Sequence, residues 1–288
     1  MTSFVRIIII FIAAIALPNS GQAGQEQTST SQRLLFGIVP QQSATRLAKI
    51  WVPMMNDMSA KTGLNIHFTT AKDIPTFEKC LSAGAYDLAY MNPYHYVEFS
   101  KHPGYRAFAH QRGKKLRGIM VVKKDSTIKD FEPLRGAKLA FPSPAAFGAS
   151  VLPRAEMSRQ GIDFEPVYVK SHDSVYKVVA AGLYPAGGGV LRTFNSIPEG
   201  LRAQLRIFYE TEAYTPHAFA AHPGVAQTDI EKVAGYLAGI DPASPLLKPL
   251  GMKGIDRATD ENWNDVRALG LTRKQTEIVE GNPVCRSD

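Results

Sequence analysis

The stretch over residues 137–193 constrains the fold most. Ala137-Lys138-Leu139-Ala140-Phe141 is a short apolar strand, and residues 142–150 turn it into a helix. Pro166-Val167-Tyr168-Val169 is a second strand, ending in the polar turn Lys170-Ser171-His172-Asp173-Ser174. A second helix over residues 175–183 leads to a third strand, Ala186-Gly187-Gly188-Gly189-Val190-Leu191. Strands alternating with helices imply parallel βαβ units, whose ligands bind beyond the carboxyl ends of the strands. Both strand ends here carry small or hydroxyl residues followed by a helix start. Free N–H groups and the positive dipole end make such a start suit an anion. No catalytic group stands out, so the segment has the character of half a binding cleft.

The first residues indicate where the chain works. Arg6 is followed by an apolar run over residues 7–17 and then by Pro18-Asn19-Ser20-Gly21-Gln22-Ala23. A basic start, a short apolar core and a small-x-small end make a secretory signal over residues 1–23. Cleavage is expected after Ala23, which places the mature chain in the periplasm. The apolar run is shorter than the ~20 residues a spanning helix needs, which disfavours a membrane anchor. No Cys lies near the cleavage point, so lipid attachment is not expected there. Residues 24–32 are polar and form a flexible mature N-terminus.

Charge and cysteines narrow the function classes. The formal charge is +7 and falls to +6 when Arg6 leaves with the leader. The basic residues are scattered, with Lys114-Lys115 and Lys123-Lys124 as doublets and no aromatic-flanked basic stripe. No nucleic-acid partner is expected. Mild attraction to an anionic solute or membrane surface is the more modest reading. Cys80 and Cys285 would enter an oxidising compartment, where a disulfide tying the tail to the first lobe is one outcome. Two unpaired thiols are the other, since pairing cannot be deduced from sequence. No GxSxG, HExxH, CxxC or paired Cys/His pattern supports an enzyme. The histidines are dispersed; His217 and His222 are five apart, but a strand would rarely present both to one metal ion. Neither a metal nor a cofactor is expected.

Along the mature chain, Leu34-Leu35-Phe36-Gly37-Ile38-Val39 is a buried-strand run that stops at Pro40. Leu47, Ile50, Trp51, Met54, Met55 and Met58 then recur at helical spacing, and Gly63 closes that helix. Strands are expected at residues 65–70 and 86–91, each followed by a helix, and two further strand candidates at 107–111 and 118–123. After Lys124 the pattern restarts, placing a second lobe over residues 125–211. A strand over residues 214–221 returns to the first lobe, followed by helices around 230–237 and 245–250 and a last short helix near Trp263 and Val266. The first lobe thus takes residues 24–124 and 212–288, the latter including a polar, peripheral tail from Thr272. The fold class is α/β: two lobes with mainly parallel sheets joined by two crossings.

Three segments carry a family resemblance. They are Gly37-Ile38-Val39-Pro40-Gln41-Gln42-Ser43, Tyr86-Asp87-Leu88-Ala89-Tyr90-Met91-Asn92-Pro93, and His172-Asp173-Ser174-Val175 with Ala186-Gly187-Gly188-Gly189-Val190-Leu191-Arg192-Thr193. In order along nearly the whole mature chain, they resemble the phosphate/phosphite/phosphonate-binding family of solute-binding proteins that serve ABC transporters. The resemblance implies a type II periplasmic-binding-protein fold that closes like a hinged clamp on a small anion. It implies delivery of that anion by a monomer to an ABC permease, with presentation to a membrane sensor such as a sensor kinase as the alternative. The family's oxyanion site is matched in part. Its Ser-Thr-Ser run falls where this chain has Ala145-Ala146-Phe147, its Tyr where Ile74 stands, its aromatic at Met91 and its Asp at Pro185; its His is kept as His172. A buried donor site cannot lose its partners cheaply, at about 1–3 kcal/mol for each group left unpaired. The replacement implies either a different ligand or an anion held mainly by backbone N–H groups.

The candidate binding residues follow, each with a structural alternative. Ser143, Ala145 and Ala146 line an anion pocket, or the turn caps a helix with Pro144 in its first turn; the two are compatible. His172, Asp173 and Ser174 point into the cleft, or Asp173 or Ser174 is an N-cap. Asn92 and Tyr94 sit at the mouth of the first lobe, or Asn92 caps the helix that Pro93 starts and the tyrosines Tyr94 and Tyr96 are packing. Gln41, Gln42 and Ser43 contact ligand or cap the next helix. Arg192 neutralises a bound anion or makes an interlobe salt bridge. The glycine run at 187–189 permits close packing near the hinge.

Overall fold

A computed structural model of the chain describes residues 32–281 and Cys285. The expected leader, its cleavage point and the polar segment up to residue 31 lie outside the described residues. The chain begins with β1 (Arg33–Ile38), α1 (Ala44–Thr62), β2 (Asn65–Thr70), α2 (Ile74–Ser82), β3 (Leu88–Met91), α3 (Pro93–Phe99) and β4 (Arg106–Gln111). It continues through β5 (Gly118–Lys123), β6 (Lys138–Phe141), α4 (Leu152–Arg159), β7 (Glu165–Tyr168), α5 (His172–Ala180), β8 (Gly187–Val190), α6 (Leu191–Ser196), α7 (Glu199–Arg202) and β9 (Leu205–Glu210). It ends with β10 (Ala218–Ala221), α8 (Gln227–Ala238), β11 (Ile255–Arg257), α9 (Asn264–Arg267) and α10 (Arg273–Thr276).

Two sheets result. The first has six strands in the order β11-β4-β10-β3-β1-β2, and the second five in the order β7-β6-β8-β5-β9. β1, β2 and β3 are parallel in the first sheet and β6, β7 and β8 in the second, as the βαβ pattern requires. The strand that enters each sheet straight after a crossing is antiparallel to its neighbours: β10 between β3 and β4, β5 between β8 and β9. The sheets are therefore mixed rather than mainly parallel. The strand over residues 118–123, expected to precede the second lobe at 125, pairs within the second sheet. The chain thus crosses between β4 and β5. The segment 214–217, expected as strand, belongs to the return crossing, and only residues 218–221 enter the first sheet.

Local chemistry explains the elements that frame the cleft. α1 turns its stripe of Leu47, Trp51, Met54, Met55 and Met58 onto the first sheet. Trp51 packs on Tyr90 at 4.9 Å and Phe219 at 6.1 Å between ring centroids. Each such buried side chain contributes about 1.5–3 kcal/mol. In the second lobe, the Val175, Tyr176 and Val179 face of α5 covers one side of the sheet, and Met157 of α4 packs on the other.

One π-helical turn, Phe147–Val151, precedes α4 and lies directly against the second sheet. A Cβ on Gly188 would stand 1.8 Å from Ala149 O, and one on Gly118 2.0 Å from Gly148 O. Only glycine lets the two backbones approach this closely, and this approach seats Phe147 and its neighbours on the floor of the cleft.

The tail, expected to be peripheral, is anchored. Cys80 and Cys285 form a disulfide. Buried Thr276 donates to Tyr94 Oη at 3.1 Å, and Arg273 pairs with Glu98 at 2.9 Å. The same segment touches the second lobe, where Arg154 donates to Gln275 O at 2.9 Å and Tyr168 to Glu277 Oε1 at 3.0 Å.

Candidate functional site

The carboxyl ends of the central strands of both sheets face one another. Beyond β1 come Gln41 and Gln42, beyond β3 Asn92, beyond β7 His172, and beyond β8 Arg192 and Thr193. All but Arg192 are buried.

Four of the hydrogen bonds that bridge the lobes are made at these strand ends. Gln42 Nε2 donates to Ser196 Oγ at 2.9 Å, and His172 N to Gln41 O at 3.2 Å. Asn92 Nδ2 donates to Ala145 O at 3.1 Å, and the Arg192 guanidinium reaches Gln41 Oε1. Asn92 also caps α3, its Oδ1 accepting from His95 N at 2.8 Å; cap and cleft contact, posed as alternatives, coexist on one side chain. Arg192 makes an interlobe hydrogen bond with a neutral amide. Among the described residues it has no carboxylate partner within salt-bridge distance.

Other expected site residues are placed differently. Ser43 is the N-cap of α1, is solvent-exposed, and accepts from Arg46 N at 3.4 Å. Tyr94, in the first turn of α3, is buried, held by Thr276 of the tail, and lines neither interlobe cavity described below. The cap of α5 is Ser171, whose Oγ accepts from Ser174 N at 3.2 Å. Asp173 and Ser174 therefore lie inside the helix and are not its caps. Asp173 sits beside Gln42, in the field of Arg46 and Lys177, and burial raises its carboxyl above the usual range. Ser143 is buried with its Oγ unpartnered, and Ala145 and Ala146 are buried beside it.

Tyr90, Gln111, Thr193 and Ser196 of the cleft were not picked out from the sequence, and His217 was weighed there only as a metal ligand with His222. Thr193 Oγ1 donates to Val190 O at 3.0 Å and meets Tyr176 Oη at 2.8 Å and His172 Nδ1 at 3.1 Å. His217 stacks on Tyr90 with centroids 5.0 Å apart, and its Nε2 is buried without a partner. His222 lies at the other end of β10, edge-on to Tyr105, so the two histidines do not share an ion. No cluster of three or more potential metal ligands occurs among the described residues.

Burial first, and then the nearby Arg192 charge, hold the His172 imidazole down at about 3. The same two causes, in that order, push His217 well below its ordinary range. Both rings are thus neutral at physiological pH, and the charge nearest to both is that of Arg192. Two small cavities adjoin there. One of about 10 Å³ touches Gln41, Asn92, Phe147 and His172; one of about 30 Å³ touches Tyr90, Gln111 and Arg192; Leu116, Val190 and His217 wall both. A single water needs roughly 10–15 Å³, so in this closed arrangement the lobes themselves fill most of the cleft.

Comparison with known proteins agrees with this architecture. A phosphate-import protein, PhnD, of Mycolicibacterium smegmatis is 20% identical over 264 residues, which is 78% of this chain and 79% of that protein. A binding-protein component of an ABC phosphonate transporter from Pseudomonas aeruginosa superposes with a TM-score of 0.77 at 16% identity, covering 86% of this chain and 88% of that one. PhnD1 of Prochlorococcus marinus, solved in complex with methylphosphonate, superposes with a TM-score of 0.76 at 16% identity, covering 84% and 98%. At these identities the structures show a shared two-lobe fold. Residues 36–263 match the family described as "ABC transporter, phosphonate, periplasmic substrate-binding protein". The match spans both sheets and every residue that bridges the cleft, and the chain belongs to this family of periplasmic substrate-binding proteins of ABC transporters.

Proposed function

We propose that this chain captures a small phosphorus oxyanion between its lobes in the periplasm, after removal of its leader at Ala23, and delivers it as a monomer to an ABC permease. No covalent chemistry is involved. The observation that carries the reading is Arg192, a guanidinium between the lobes whose contact across the cleft is a neutral amide. A partly desolvated cation without a counter-charge is costly, and an oxyanion accepting its N–H groups in a two-pronged contact supplies one. Neutral groups lining the adjoining cavities provide the rest of the shell: the Asn92 amide and the two neutral imidazoles. The ligand replaces interlobe contacts such as Arg192–Gln41 and so draws on the energy that holds the lobes together.

The test is calorimetric titration of protein purified from the periplasm, with its N-terminus expected at Gly24, against phosphate, phosphite, methylphosphonate and sulfate. Saturable binding of a phosphorus oxyanion is expected. An R192M chain should lose affinity by about 10- to 150-fold, the equivalent of about 1.5–3 kcal/mol for a charged hydrogen bond. Binding that R192M leaves intact would remove Arg192 from the site, and no binding of any phosphorus oxyanion would refute the reading.

A further inference from the structure

The two cavities of the cleft differ in charge. Gln41, Asn92 and His172 line the smaller one, and these groups are neutral. The larger one, toward the crossings, is bounded by Lys114, Lys115, Arg117 and Arg192. Among the described residues, Lys115 alone of these four reaches a carboxylate, Asp265 at 3.3 Å. Arg117 donates to Thr211 O at 2.9 Å. No Asp or Glu among the described residues lines either cavity. The carboxyl of Asp173, next in sequence to His172, lies beside Gln42 in the field of Arg46 and Lys177, with its Oδ1 buried and unpartnered. On the wall common to both cavities stands His217, buried, with its Nε2 unpartnered.

Resting on the oxyanion reading above, we infer that the ligand has two anionic ends. Its phosphonate or phosphate group keeps the contact with Arg192 and reaches into the neutral compartment, and a carboxylate occupies the cationic one among Arg192, Lys114 and Arg117, with His217 at the junction between them. The ligand class is a compact phosphonocarboxylate. A guanidinium carries five N–H donors, so Arg192 serves both anionic ends once the ligand displaces Gln41 Oε1, and the surrounding cations favour the second negative charge. An ammonium in the same place, as an aminoalkylphosphonate would bring, meets like charge with no carboxylate to pair with. A specificity of this kind rests on repulsion of the wrong end as much as on attraction of the right one.

The experiment is calorimetry on the mature chain at fixed ionic strength with methylphosphonate, phosphonoacetate and 2-aminoethylphosphonate. Phosphonoacetate should bind at least about tenfold tighter than methylphosphonate, and 2-aminoethylphosphonate at least about tenfold weaker, each tenfold step being 1.4 kcal/mol. In R192E, with its fold checked by circular dichroism, the order of phosphonoacetate and 2-aminoethylphosphonate should invert. R192Q, which removes the charge and keeps a polar side chain, should level the two and serves if R192E does not fold. Methylphosphonate binding with no gain for phosphonoacetate, or an unchanged order in both variants, overturns the inference and leaves the oxyanion reading standing. Failure of all three ligands and of phosphate overturns both.

Discussion

The two lobes repeat one topology and divide the chemistry between them. Leaving aside the edge strand β11, each sheet runs second strand, first strand, third strand, crossing strand, fourth strand. The same three strand ends therefore open onto the cleft from both sides. From the first lobe they carry amides: Gln41, Gln42 and Asn92. From the second they carry a cation, an imidazole and hydroxyls: Arg192, His172, Ser143 and Thr193. The first lobe also holds the disulfide and most anchors of the tail. The second is packed through bare backbone at Gly188 and Gly118. Topology fixes where a ligand sits, then, and the residues placed at equivalent strand ends decide what it is. One lobe can serve as a braced platform while the other supplies the charge.

The asymmetry can be attacked at its strongest point first. If the first lobe is the braced one, replacing both Cys80 and Cys285 by Ser should cost about 2–4 kcal/mol, because the bridge closes a very long loop. The melting temperature should fall by roughly 5–15 °C. Hydrogen exchange should quicken in α2, α3 and the tail before it does in the second sheet. Equal loss of protection in both sheets, or an unchanged melting temperature, would remove the disulfide as the source of the difference.

Acid should find the second lobe. His172 has its folded-state proton affinity depressed from 6.5 to about 3 by burial and Arg192. Between those values the unfolded chain binds a proton that the folded chain refuses, so stability rises with pH. The contribution is whole above about 6.5 and drains as pH falls toward 3, by about 2 kcal/mol at pH 5. Urea midpoints at pH 7 and pH 5 should converge by that amount in H172Q, with the remaining acid loss due to groups such as His217. An identical pH 5 loss in the two chains would show that His172 does not titrate this way.

The smallest expected effect separates a cap from a ligand contact. Ser43→Ala should cost about 1 kcal/mol of stability with phosphorus-oxyanion affinity unchanged in the same calorimetric assay, since Ser43 is exposed and bonded to its own helix. A tenfold fall in affinity would put the first lobe's hydroxyl back in the site and blur the division between the lobes.

Much of the lining of the interlobe cleft was legible because it lies at strand ends, which hydrophobic runs and capping residues mark locally. His172, Asn92, Gln42 and Arg192 were found that way. Tyr90, Thr193 and His217 were not, because each is a single polar group in or beside an apolar run and looks like core. The one available signal for His217 was its place at the head of Ala218-Phe219-Ala220-Ala221, a wholly apolar strand directly after a crossing. Ser43 and Tyr94 stood at the right strand ends, but the direction of one side chain and the packing of the other depend on neighbours far along the chain.

The sequence by itself determined the βαβ units, the caps of α1 and α3 and the glycine-lined strand, since these rest on contacts within a few residues and on a period of two or 3.6. The tertiary structure alone decided the antiparallel insertion of β5 and β10, the pairing of Cys80 with Cys285, the docking of the tail and the meeting of Arg192 with Gln41. Cys80 and Cys285 are 205 residues apart and Arg192 and Gln41 151 apart. No local pattern encodes such contacts, because their free energy is realised only when both lobes are built and brought together.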